Sequence, residues 1–365
     1  MSEQKDRAVA ALRRHRLDAV LLVTPPNVTY ASGFESPLPG GFATEVIDWL
    51  PPCAVLRADG TGTLVVPDDE VARAEAESWL DVVSFESLRH FEPTDPERTW
   101  VEAVRGALDG AELVGLEPTA PAAVAAGLRA VDATAPLREA RSVKTGRELD
   151  LLARAAAAAD AAQHRLLELA AEPGATEVEL WTEIASAFQR AAGGSVPVVG
   201  VLITGERTGV LESTGSSLRT VAAGDTALLD IGGRVGGYWS DCANTVVVGA
   251  PPSREQRRRL DAARTACEAA IECLRPGART TEPVSAMRDA LERAGFPLAH
   301  YAGHQLGTSV NEQPRLLPFV DEPVEAGMVF AIEAGVYDGA IGARCERIAV
   351  VTESGPDILS QFAWE

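Results

Sequence analysis

Two short apolar runs separated by a glycine turn, each carrying one aspartate, constrain this chain more than any other feature. Leu228-Leu229-Asp230-Ile231-Gly232-Gly233 leads through Arg234-Val235-Gly236-Gly237 into Tyr238-Trp239-Ser240-Asp241. The pattern predicts a β-hairpin. With the turn centred between Val235 and Gly236, the two aspartates stand directly opposite each other, their Cβ atoms roughly 5 Å apart on one face. Carboxylates so placed among apolar residues repel unless a positive charge lies between them, which points to a bound cation. Turn-stabilising or solvent-facing aspartates would give the same local pattern, so the hairpin alone leaves both readings open.

The rest of the chain is large enough to build a deep site around such a hairpin. Its 365 residues are 46% hydrophobic, enough for about two domains with cores of their own. Lys and Arg number 33 against 53 Asp and Glu, a net charge of −20, and a surface of that sign repels a phosphate backbone. Nucleic acid is therefore not an expected partner. No apolar run approaches the roughly 18 residues of a membrane span, and the N-terminus lacks a signal-peptide pattern, so a cytoplasmic protein without membrane contact is expected. The five cysteines, Cys53, Cys242, Cys267, Cys273 and Cys345, are scattered and include no CxxC pair, which argues against a disulfide framework or a thiolate zinc site. Histidines are equally few: His15, His90, His164, His300 and His304.

Residues 1–140 read as an α/β domain. A helix over Lys5–His15 precedes a strand at Ala19–Val23, which the breaker Thr24-Pro25-Pro26-Asn27 turns into a loop. Strands are expected at Cys53–Arg57 and Thr63–Val66 and a helix over Asp69–Trp79, with a further strand and helix within residues 112–130. Residues 141–365 form the second domain. Thr145–Glu148 and Thr176–Glu179 carry the Thr-x-x-Glu form of a capped helix start, and Leu151, Leu152, Leu166, Leu167 and Leu169 give the first, Ala-rich helix an apolar stripe that ends before Pro173-Gly174. Strands at 198–203, 226–231, 238–248, 328–333 and 346–352, with helices over 253–274 and 283–294, do not alternate strictly. The expected class is α+β rather than a doubly wound sheet.

Three further stretches carry groups suited to a metal. Gly303-His304-Gln305-Leu306-Gly307 sets a histidine among glycines, Ala331-Ile332-Glu333-Ala334-Gly335 ends an apolar run in a glutamate, and Arg344-Cys345-Glu346 opens another with one. Each is commonplace alone. In this order they resemble the prolidase, aminopeptidase P, methionine aminopeptidase and creatinase superfamily, which has the pita-bread fold. The resemblance spans nearly the whole chain: residues 1–140 look like the creatinase-type N-terminal domain, with Leu17-Asp18-Ala19-Val20-Leu21-Leu22 and Asn27-Val28-Thr29-Tyr30 in order. It implies a dinuclear metal site of Asp230, Asp241, His304, Glu333 and Glu346. Four carboxylates and one imidazole suit Mn²⁺ first, with Fe²⁺, Co²⁺ or Zn²⁺ also compatible. In such a site two divalent ions neutralise the acids, activate a water and polarise a scissile carbonyl.

The chain departs from the family at two places. The peptidases carry two histidines beside the metals; here one position falls on Ser213, next to Glu212, and the other on Asn311 of Asn311-Glu312-Gln313-Pro314. Serine and asparagine can hydrogen-bond but cannot hold a proton near neutral pH. Three functions follow as alternatives: a metal-dependent hydrolase of a C–N bond in a short peptide or small molecule, Xaa-Pro peptidase-like, with Glu333 or Glu212 as base and Asn311 on the oxyanion; a divergent metalloenzyme hydrolysing or eliminating a non-peptide small molecule; or a non-catalytic binding module. His300 is near enough to His304 to take part, and Arg344, on the face of Glu346, is expected to orient a ligand carboxylate or the substrate. Cys242 and Cys345 should alternate away into the core, and Tyr238 and Trp239 should pack. The resemblance also implies a homodimer, with Gly40-Gly41-Phe42 and Trp49 in a loop over the neighbouring subunit's pocket.

Overall fold

The computed structural model describes residues 2–39, 50–87, 89, 91–211 and 215–364. They fall into two compact units, Met1–Ser142 and Val143–Glu365.

The first unit is built on β1 (Ala19–Leu22), β2 (Cys53–Arg57), β3 (Gly62–Pro67), β4 (Asp81–Phe85), β5 (Val114–Leu116) and β6 (Ala130–Asp132). They form one mixed sheet in the order β4-β3-β2-β1-β5-β6. Every residue of β1 is buried, because helices cover both faces: Val20 and Leu22 join one apolar cluster, Ala19 and Leu21 the other. The expected loop after β1 is instead a helix, Pro25–Ser32, with prolines in its first turn. The reason is geometric: proline's fixed φ suits a helix start, where its missing N–H costs nothing. The helix expected over 69–79 is a 3₁₀ turn at Asp68–Glu70 followed by Val71–Glu77. β4 and the Pro96–Leu108 helix lie in a stretch where the sequence showed no element, although Asp95 caps that helix by accepting from the Arg98 amide.

The second unit holds two sheets. β7 (Val198–Thr204), β8 (Thr226–Val235) and β9 (Tyr238–Val247) form one; β10 (Gly303–Gln305), β11 (Glu312–Arg315), β12 (Val329–Tyr337), β13 (Gly342–Thr352) and β14 (Gly355–Ile358) form the other, in the order β11-β10-β12-β13-β14. Both Thr-x-x-Glu sequences make reciprocal capping boxes, and Ser253 with Gln256 makes a third. The Gly146–Leu169 and Glu177–Ala192 helices cover the first sheet, burying Leu166, Ile184 and Phe188 against Leu229, Ile231 and Cys242. The Arg254–Ile271 and Thr281–Arg293 helices cover the second, burying Cys267 and Met287 against Phe330, Ile332 and Cys345. β9 lies beside β13, where Thr245 Oγ1 accepts from the Arg344 amide at 2.8 Å and donates to its carbonyl at 3.0 Å. The uncovered faces of the two sheets thereby meet in one basin. Among the described residues no helix is long and apolar enough to cross a membrane.

Candidate metal centre

β8 and β9 turn at Gly236-Gly237, whose φ values of +57° and +85° suit a two-residue hairpin loop that side chains with a Cβ rarely adopt. The turn is one residue later than expected, which corrects the register. Asp230 faces Ala243 and Asp241 faces Gly232. The aspartates share a face as diagonal neighbours instead of a directly opposed pair, a separation of about 7–8 Å between backbones in antiparallel strands. Glycines decided this, since Val235 is held in the ladder opposite Tyr238.

The second sheet brings the other groups. Gly303, at φ +141°, allows β10 to press against β12; a Cβ there would lie 2.1 Å from the Ala331 carbonyl oxygen. His304 thereby enters the basin. Glu333 on β12 pairs directly with Glu346 on β13. One donor atom each from Asp241, His304 and Glu346 lie within 4.8 Å of one another, and His304 Nε2 stands 3.6 Å from Asp241 Oδ2. His304 Nδ1 is 2.9 Å from the Gln305 carbonyl oxygen, so the proton sits on Nδ1 and Nε2 offers its lone pair to the basin.

Charge is distributed unevenly. Arg344 forms an ion pair with Asp230 and donates from Nε to the Tyr337 hydroxyl at 2.7 Å; the expected carboxylate partner of Arg344 is therefore Asp230. Burial raises the Asp230 carboxyl despite Arg344. Burial, joined by the charges of neighbouring acids, pushes Glu333 up to about 7 and Glu346 well above the usual range. Burial works against a charged His304, but Asp241 outweighs it and the net shift is upward. Such a set of acids fits divalent cations: hard oxygen donors and one imidazole, with more negative charge than one guanidinium balances.

His300 stands behind the acids. Its Nδ1 donates to the Tyr301 carbonyl at 2.7 Å and is 3.8 Å from Glu333 Oε2, while Nε2 is 3.5 Å from the Tyr337 hydroxyl. Burial first, then Arg344, lowers it to about 4, so it is neutral at pH 7. Asn311 sits at the basin's side: Oδ1 accepts from Arg315 Nε at 2.8 Å and Nδ2 is 3.5 Å from the Tyr301 hydroxyl. The next residue, Glu312, is fixed by the buried Lys144, whose Nζ donates to Glu312 Oε2 at 3.2 Å and Gln305 Oε1 at 2.8 Å. Cys242 and Cys345 belong to the apolar clusters and burial raises both thiols. Tyr238 is buried and donates to Glu148 at 3.2 Å. Glu212, Ser213, His90, Gly40 to Phe42 and Trp49 lie outside the described residues.

Two site residues escaped the sequence reading, Tyr301 and Tyr337. A signal existed for each. Tyr337 follows Glu333 by an even number of strand positions and so shares its face, and Tyr301 lies between His300 and His304.

The pattern for metallopeptidase family M24 matches residues 150–353, and that for the creatinase/prolidase N-terminal domain matches residues 4–143. The chain is similar to the probable dipeptidase PepE of Mycobacterium tuberculosis, 34% identical over 311 residues that cover 82% of this chain and 81% of the relative. It is similar to the Xaa-Pro dipeptidase of Pyrococcus horikoshii, 27% identical with 99% and 97% covered. Among solved structures, dipeptidase PepE from Mycobacterium ulcerans matches with a TM-score of 0.78 at 29% identity, covering 99% of this chain and 96% of that one.

Proposed function

This chain belongs to metallopeptidase family M24, and from that premise we propose that it cleaves the C–N bond before proline in short Xaa-Pro peptides. The observation that carries the reading is that donor atoms of Asp241, His304 and Glu346 lie within 4.8 Å of one another, with Glu333 paired to Glu346 and Asp230 diagonal to Asp241 on the neighbouring strand. These five residues would hold two divalent ions, with Mn²⁺ the expected metal. Such ions supply an acidified water and a polarised carbonyl. The chain's own groups do the rest. Glu333 takes a proton from the attacking water at its carboxylate and returns it to the leaving nitrogen. Arg344 orients Asp230, and neutral His300 backs Glu333. Asn311 supplies a neutral amide at the side of the basin, its Nδ2 3.5 Å from the Tyr301 hydroxyl.

The names of the relatives support a dipeptide-sized substrate. The neutral Asn311 favours a second reading, a small non-peptide C–N substrate, because the site offers no imidazole there. Both are tested by one panel: purified protein loaded with Mn²⁺, with metal per chain measured, assayed on Xaa-Pro dipeptides and tripeptides beside creatine-like and cyclic amidine compounds. Proline-peptide turnover that Asp241→Ala abolishes is the expected result. Metal-loaded protein that turns over only the non-peptide compounds replaces the first reading with the second. We further propose that the protein works in the cytoplasm as a homodimer, which sedimentation of the purified chain tests.

A further inference from the structure

We propose that Tyr301 is a catalytic hydrogen-bond donor, its hydroxyl meeting the substrate carbonyl oxygen at the position where this chain has no second histidine. The inference rests on the peptidase reading above and adds a residue to it.

Four observations support it. Tyr301 is half-buried, and its ring is caged between two imidazoles, 6.0 Å from His300 at 72° and 6.0 Å from His304 at 57°, which limits the directions the phenol can take. Its hydroxyl hydrogen-bonds the Glu333 carboxylate, so its O–H points at the acids around which the reaction is expected. Asn311 Nδ2 approaches the hydroxyl at 3.5 Å. Asn311 in turn is anchored by Arg315 at 2.8 Å, so its amide N–H is directed at the phenol oxygen. The phenol oxygen accepts from Asn311 while its single O–H is donated to Glu333, and a substrate carbonyl oxygen arriving beside Glu333 can take that bond over.

A phenol is protonated at neutral pH. The step asked of Tyr301 therefore transfers no proton: it donates one hydrogen bond to the carbonyl oxygen, and that bond strengthens as the C=O π electrons move onto oxygen. The O–H stays on Tyr301 throughout, and the water's proton travels by way of Glu333. Asn311 is then a positioning residue that acts through Tyr301.

The test compares the Mn²⁺-loaded wild type, Tyr301→Phe, Asn311→Ala and the double variant. Melting temperature, metal per chain, kcat and KM on an Xaa-Pro dipeptide, and Kd for the phosphinic isostere of that dipeptide are measured. Tyr301→Phe should lower kcat and weaken phosphinate binding by about 10²-fold, with KM within about threefold and metal content and melting temperature unchanged. Asn311→Ala should cost about tenfold in kcat in the wild type and little in the Tyr301→Phe background, since its effect passes through the phenol. A Tyr301→Phe enzyme with wild-type kcat and phosphinate affinity overturns the inference, as does one that loses metal in proportion to activity. A metal-loaded wild type that hydrolyses no Xaa-Pro peptide overturns the peptidase reading and the inference together.

Discussion

A buried glutamate in each unit shows how differently the same side chain can be held. Glu117, at the end of β5 in the first unit, accepts from the amides of Val23 and Thr24, the Thr24 hydroxyl and Asn27 Nδ2, with the Thr24 amide at 2.8 Å. Four donors converge on its two oxygens. Glu346, on β13 in the second unit, has Asp241, Glu333 and Asp230 as the charges that act on it most, and all of them push its carboxyl upward. The first arrangement is complete within the chain, since N–H and O–H donors stabilise a carboxylate without a counter-ion. The second is stable at neutral pH only with protons or cations added. A ring of donors completes a structural carboxylate, and a ring of acids leaves a charge that protons or cations must offset.

The sharpest way to break this contrast is Asp241→Ala. It removes an acid from the group of three donor atoms, and metal per chain should fall with kcat by about 10³-fold or more. A variant that keeps both metal and turnover would remove Asp241 from the site. Glu117→Ala should act in the opposite sense. Losing the acceptor strands buried donors, at a cost of about 2–3 kcal/mol in urea unfolding, while kcat and metal content stay at wild-type levels. Any loss of metal in that variant would blur the distinction between the two glutamates.

Protein stripped of divalent ions should feel the crowding of its acids. A glutamic acid in an unfolded chain titrates near 4.3, whereas Glu333 is pushed up to about 7 in the fold. The folded state then keeps its proton to higher pH than the unfolded state, so stability is lost as pH rises from about 4 to 7. Glu333→Gln should flatten that slope and raise stability at pH 7 by on the order of 1–2 kcal/mol, with activity lost. A metal-free melting temperature equal at pH 5 and pH 7 would contradict this. The smallest effect is expected from Asn311→His, which places a titratable ring beside Tyr301. A gain in peptide turnover of up to about tenfold, with an acid limb in the pH–rate profile, is predicted; unchanged turnover with intact metal binding would show that the pocket does not admit the imidazole productively.

Much of this was legible along the chain. Thr145, Thr176 and their glutamates signal helix starts by their own spacing, and the structure contains both capping boxes. β8 and β9 were visible as apolar runs, as were β12 and β13. What escaped were elements whose reason lies elsewhere in the fold. β10 and β11 are short, four residues at most, and exist because β12 gives β10 a ladder to join and β10 gives one to β11. Pro25-Pro26 reads as a breaker in isolation and as a helix start when Val28, Tyr30 and Ala31 find a core to enter. Tyr301 looks like any aromatic in a short loop until Asn311 and Glu333 are seen around it.

By itself the sequence determined the class of the fold, the capped helices and the order of acids and imidazole from Asp230 to Glu346, because these depend on neighbours a few residues apart. Tertiary structure alone decided that Glu333 opposes Glu346, that Arg344 answers Asp230 and not Glu346, and that the hairpin aspartates lie diagonally. Those outcomes depend on ladder registers set by Gly236, Gly237 and Gly303 and on strands distant in the chain. Electrostatic energy varies with the inverse of distance, so a register moved by one pair changes what a carboxylate does while leaving the pattern of residues untouched.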